Sequence, residues 1–295
     1  MKRRHSAAIL VGVLLVALAL IWWLRPSENP PVTVGGKLPG PCRDLNFEAV
    51  PYIVCEIDLR SYDVAVFHAG HDGKAFGSLK KFDEAMSGEG RPVLLAMNAG
   101  MYHEDLTPVG LLVENGHAVA PLNLADGQGN FFLKPNGVFL IRKDGKAAVM
   151  ETSAYAAAKA DVAFATQSGP MLVIDGRLHP RFEANGTSRH IRNGVGVRDE
   201  NTIALAISHS QVSLGSFARL FRDALHCPNA LFFDGWSRRC RMARRRSSAE
   251  TIRQGRSLPS RRKGDEELEV NPQSGTLVCR ASACSTPPIL PFSAS

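Results

Sequence analysis

Asp234-Gly235 follows the apolar run Ala230–Phe233, so a carboxylate stands where a buried strand would end. A carboxylate there can serve as general acid, base or nucleophile, although Asp-Gly is also an ordinary turn. Asn98-Ala99-Gly100 follows Val93–Met97 in the same way, and offers either an amide or a turn whose Asn tolerates the left-handed region. Arg192 suits bidentate binding of a phosphate, or a surface pair with a carboxylate. Ser168-Gly169-Pro170 offers a hydroxyl or simply a bend. His68, His71 and Asp72 have ligand chemistry, but they sit in a Gly-rich turn that reads as solvated, so no metal is expected. His103 and His209 stand alone. The sequence holds no GxGxxG, no Walker A motif and no GxSxG, which removes the common nucleotide-binding and α/β-hydrolase readings.

The elements that must carry these residues read as an α+β fold of mainly antiparallel sheets with a few flanking helices. Tyr52–Leu59 and Asp63–His68 alternate like strands. Gly110–Glu114 and His117–Ala120 flank Asn115-Gly116, the strongest short hairpin signal. Asn130–Lys134 and Gly137–Arg142 are expected as strands, as are Ala163–Gln167, Met171–Ile174, Gly194–Arg198 and Thr202–Ser208. Ser78–Met86, Ser153–Ala160 and Ser216–Leu225 are the expected helices. In the last, Phe217, Leu220, Phe221 and Leu225 share one face.

The 295 residues carry 35 Lys and Arg against 28 Asp and Glu, a formal net charge of +7. That excess is not spread over the chain. Residues 1–235 hold 23 basic and 23 acidic residues, and all of the surplus lies in residues 236–295. A balanced body with a basic tail is not a nucleic-acid-binding domain, and no nucleic-acid partner is expected.

Residues 1–6 form a basic flank before an unbroken apolar run, Ala7–Leu24. Eighteen such residues just span a bilayer, and the flank keeps that end in the cytoplasm. The expectation is one transmembrane anchor, with the rest of the chain in the periplasm or outside the cell. A cleaved signal peptide is the alternative, but the bulky Ile21–Arg25 gives no small-x-small site. Residues 25–41, with five Pro and three Gly, read as a linker. Outside the cytoplasm Cys42 and Cys55 can close a disulfide loop.

The strand ends together carry an ordered set of motifs: Asn98–Tyr102, Thr107–Gly110, Gly129–Phe132, Pro135–Phe139, Ala165–Leu172, Arg192–Gly196 and Phe232–Gly235. Over residues 42–235 this series resembles the phosphodiester glycosidase family. That family holds relatives of the N-acetylglucosamine-1-phosphodiester glycosidase and a bacterial branch described as related to exopolysaccharide biosynthesis. The bacterial branch is the more similar. The resemblance implies hydrolysis of a sugar-1-phosphodiester bond, with a phosphorylated glycan as substrate and no cofactor. Within it Asp234 is the first candidate for the catalytic carboxylate, with Glu104 or Asp105 as its partner. Arg192 and then Arg189 are candidates for the phosphate, and Asn98, Gln167, Ser168, Asn193 and His209 for sugar and phosphate oxygens. A non-catalytic envelope protein that binds the same glycan, or a degraded copy of the enzyme, is the alternative.

Past Gly235 the sequence departs from the family pattern. Arg rises to 11 of the 60 residues from 236 to 295, and strand signals nearly vanish. This stretch reads either as a disordered basic tail or as the product of a reading-frame shift near codon 236.

Overall fold

The computed structural model describes residues 38, 40–91, 93–233, 240–242 and 275–281. The apolar run 7–24, Asp234 and most of residues 236–295 lie outside them. No helix among the described residues is long and apolar enough to cross a membrane.

Three antiparallel sheets make up the architecture. The first runs β1 (Cys42–Phe47), β2 (Val50–Asp58), β13 (Thr202–Ser208), β12 (Asn193–Asp199), β14 (Asn229–Phe232), β10 (Met171–Ile174) and β11 (Arg177–Leu178). The second runs β15 (Cys240–Met242), β4 (Leu95–Ala99), β16 (Gly275–Ala281) and β3 (Tyr62–Phe67). The third runs β6 (His117–Ala120), β5 (Leu112–Glu114), β9 (Val162–Ser168), β7 (Gly137–Arg142) and β8 (Ala147–Glu151). With few helices besides, this is the expected α+β class.

Period-2 alternation explains how three sheets share one core. Ile53, Cys55 and Ile57 of β2 face a central cluster, with Leu95 and Met97 of β4, Phe139 of β7 and Val195 of β12. Tyr52 and Val54, on the other face of β2, pack under α3 (Leu214–Arg219) and the π-helical turn that continues it, Leu220–Ala224. Each such burial removes apolar surface from water and contributes about 1.5–3 kcal/mol. The outer face of the second sheet is covered by α1 (Leu79–Gly88), through Phe82 and Met86. Ser78 caps α1 by accepting the Lys81 N–H at 3.2 Å. Over the outer face of the third sheet lies α2 (Thr152–Ala158), with Tyr155 against its side cluster.

Local expectations hold where turn chemistry is strong. Asn115 and Gly116 take φ of 49° and 78°, the pair that the β5–β6 hairpin requires. Asn130–Lys134 is different, because no strand forms there. Asn130–Phe132 is a short 3₁₀ turn, and the Leu133 N–H donates back to the Asn130 carbonyl at 3.2 Å. The Asn136 side chain donates to the Phe131 carbonyl at 2.8 Å, which occupies a ladder acceptor locally.

Cys42 and Cys55 face each other across β1 and β2 and are bonded. Replacing both with Ser is expected to lower stability by about 2–3 kcal/mol, since the open chain regains loop entropy. Urea unfolding of the oxidised protein and of the double variant measures the difference.

The stretch read as a tail supplies two strands. Gly275–Ala281 lies between β3 and β4, and Cys240–Met242 pairs with β4 from the other side. Leu277 and Cys279 are each 1% exposed in the central core.

Candidate functional site

One end of the central core is polar. Strands β4 and β9 finish there and β12 begins there, one strand from each sheet. Leu95, Met97 and Ala99 of β4 point inward, and the chain then turns at Gly100 with a φ of 78°. A Cβ at Gly100 would lie 2.5 Å from the Thr166 hydroxyl oxygen, so the turn rests directly on β9. The Asn193 amide of β12 donates to the Asn98 carbonyl at 3.1 Å, which ties the first sheet to the second.

Alternation along β9 separates two neighbouring polar residues. Gln167 points outward, and its oxygen accepts the Leu111 and Asn123 N–H groups at 3.0 and 2.9 Å. Its amide donates to the Asn123 carbonyl at 2.7 Å. Thr166 and Ser168 share the opposite, central face. Ser168 is fully buried, yet its hydroxyl has no hydrogen-bond partner among the described residues. The side-chain oxygen of Asn193, a residue only 1% exposed, is in the same position. Buried polar atoms are nearly always paired, and each exception needs a reason. Both oxygens are enclosed, and each belongs to a residue at one end of its strand, Ser168 closing β9 and Asn193 opening β12.

The chain next to Asp234 is anchored at this spot. The Phe233 N–H donates to the Asn193 carbonyl and the Phe232 N–H to the Pro170 carbonyl, both at 3.1 Å. Phe233 is fully buried and packs edge-on against Phe139 at 6.4 Å. Opposite, the Tyr102 ring stacks on His68 at 5.4 Å. Burial pushes the His68 imidazole below its ordinary range, and its Nδ1 is without a partner among the described residues. Thr276 of β16, also buried, stands in register between Asn98 and Phe67.

A model of the phosphodiester glycosidase family matches residues 92–267. The chain belongs to the phosphodiester glycosidase family. The matched stretch ends inside the part of the sequence that reads as a basic tail. An uncharacterised protein of Escherichia coli K12, YigE, is 37% identical over 164 residues, which make up 56% of this chain and 63% of that protein. The chain thus spans less than two thirds of that relative's length. Among solved structures, the catalytic domain of zebrafish N-acetylglucosamine-1-phosphodiester alpha-N-acetylglucosaminidase, auto-inhibited by its pro-peptide, superposes with a TM-score of 0.53. The two share 16% identity, with 85% of each chain covered, so the likeness is one of fold.

Within this glycosidase fold the candidate residues divide. Asn98, Ser168 and Asn193 converge. Gln167 faces away and is spent on holding the 109–123 segment. Arg192 is 1% exposed. Its Nε donates to the Val212 carbonyl at 2.8 Å and its Nη2 to the Ser188 carbonyl at 2.9 Å. The guanidinium carbon lies 5.3 Å from the centre of the Phe232 ring. Burial lowers its pKa to about 10. Arg192 braces two loops, and Arg189 is the exposed member of the pair.

Glu104 and Asp105 stand exposed at the tip of the 102–108 loop. Asp105 accepts the Thr107 hydroxyl at 2.6 Å and its N–H at 2.9 Å, bonds that hold its carboxyl below the usual range. His209 lies against β1, with Nε2 3.9 Å from an Asp44 oxygen. Asp234 is outside the described residues, and no cluster of metal-ligating side chains occurs among those described. Thr166 and His68 are polar neighbours of the site that sequence reasoning did not select for it. The alternation of β9 was a usable signal for Thr166, but nothing local to His68 announced its ring contact with Tyr102.

Proposed function

We propose that this protein hydrolyses the bond between the anomeric carbon of a sugar and the phosphate of a phosphodiester. Water supplies the oxygen to the sugar, and a phosphate monoester leaves. In this reading the run 7–24 anchors the chain in the inner membrane, and the catalytic domain acts in the periplasm or outside the cell on envelope glycan or exopolysaccharide. The observation that carries it is the pair of unpartnered buried oxygens, Ser168 Oγ and Asn193 Oδ1, at the meeting point of three strand ends. Sugar hydroxyls and phosphate oxygens are the groups that would complete those bonds. Asp234, the residue after Phe233, supplies the carboxylate, with Glu104 or Asp105 brought in from the loop as its partner. Arg189 is assigned to the phosphate charge. Family membership supports the reaction class.

Ser168→Ala separates this role from a structural one. Removing a buried hydroxyl that has no protein partner costs the fold little, and relieves its desolvation. Losing a bond to a charged phosphate oxygen of the substrate costs about 1.5–3 kcal/mol, or roughly ten-fold or more in rate. The expected result is a melting temperature at or above that of the parent, and at least ten-fold slower release of N-acetylglucosamine from methyl N-acetylglucosamine-1-phosphate. No sugar release by the parent protein, or equal rates for both, overturns the proposal.

A further inference from the structure

Beside the polar end of the core, the loop after β3 folds over the C-terminal end of α1 and encloses a cavity of about 280 Å³. None of the convergent site residues lines it. Three of its walls are aromatic: Phe67, Phe76 and Phe164. Phe67 and Phe76 both pack on the buried Phe82, at 5.5 and 5.0 Å, which holds their rings in place.

The charges around this cavity do not cancel. Glu89 is engaged, with one oxygen 3.3 Å from Arg91 and the other 3.4 Å from His71. That pairing neutralises the cation of Arg91. Glu114, at the end of β5, has no such partner among the described residues. Its carboxylate accepts the backbone N–H of His68, and its other contact is missing, for Oε1 is buried and without a hydrogen bond. Burial raises the Glu114 carboxyl above its ordinary range, and the His68 N–H bond offsets part of that rise. Glu114 and the three phenylalanines line the same cavity, and an acidic residue among aromatic rings is a combination that can hold an ammonium group, because ring faces attract a cation and a carboxylate balances it.

We propose that this cavity binds a small organic ammonium cation, with Glu114 as counter-ion and Phe67, Phe76 and Phe164 as the aromatic wall. A metal ion would find too few oxygen ligands here, whereas an alkylammonium uses both the ring faces and the single charge. The inference does not depend on the hydrolytic reading.

Isothermal titration of the full chain with choline chloride tests it. The other arms are ethanolamine and the neutral carbon isostere 3,3-dimethylbutan-1-ol, in matched sodium chloride. Saturable binding of choline or of ethanolamine, at least ten-fold tighter than the neutral isostere, is expected. Glu114→Gln, which keeps the shape and removes the charge, should weaken that binding at least ten-fold. Phe76→Leu should weaken it too, and serves as the decisive variant if Glu114→Gln does not fold. No binding of either amine, equal binding of the neutral isostere, or parental affinity in the folded variants overturns the proposal.

Discussion

A chain ending at residue 274 is expected to be insoluble or to show no cooperative melting. The segment it lacks, β16, is an interior strand of the second sheet and pairs with β3 on one side and β4 on the other. Without it both strands become open edges, and exposed edges template aggregation. Leu277 and Cys279 leave the central core with it, and Val64, Val66, Leu95 and Met97 lose their cover. A buried Leu reduced to Ala by itself costs about 2–5 kcal/mol, against a total stability of about 5–15 kcal/mol. Leu277→Ala should therefore remain folded but lose about 2–5 kcal/mol in urea unfolding. Soluble expression with an unchanged melting temperature for the shortened chain would show that the segment is foreign to the fold, as a shifted reading frame implies.

Asp234→Asn is expected to lower sugar release by about 100- to 10,000-fold, the range for losing a positioned acid or base. The substitution keeps size and shape and removes only the charge and proton. Position is the argument for it. Phe233 is fixed by its N–H bond to the Asn193 carbonyl and by its ring against Phe139. Asp234 is the next residue in the sequence. A surface turn residue would tolerate the change with a rate within two-fold of the parent, and that result would remove Asp234 from the mechanism. Glu104→Gln and Asp105→Asn belong in the same assay. Asp105 already serves its own turn through Thr107, so Glu104 is expected to show the larger loss of the two.

Much of the fold was legible in local chemistry. Asn115-Gly116 and Asp175-Gly176 specify tight hairpins, and both pairs adopt the positive φ that those turns need. The continuous apolar run Tyr52–Cys55 in β2 marks a strand with two buried faces. Asn98, Ser168 and Asn193 were visible because polar residues at the ends of apolar runs have no packing reason to be there. Arg192 and Gln167 look the same in sequence, and both side chains bond backbone groups in the structure. What distinguishes them is remote: Val212 lies 20 residues from Arg192, and Leu111 lies 56 from Gln167. No local pattern encodes which carbonyl or N–H will arrive beside a side chain. The strand Gly275–Ala281 was missed for a related reason. The stretch 261–270 before it is rich in charge, and its partners β3 and β4 are far away in the chain.

By itself the sequence determined the class of structure, the turns, the cysteine pair and the family, because each rests on residues near one another or on an ordered series of motifs. Tertiary structure decided which polar residues are left without partners. Whether a buried oxygen is satisfied depends on the whole set of groups packed around it, and three sheets closing on one core bring that set together from every part of the described chain.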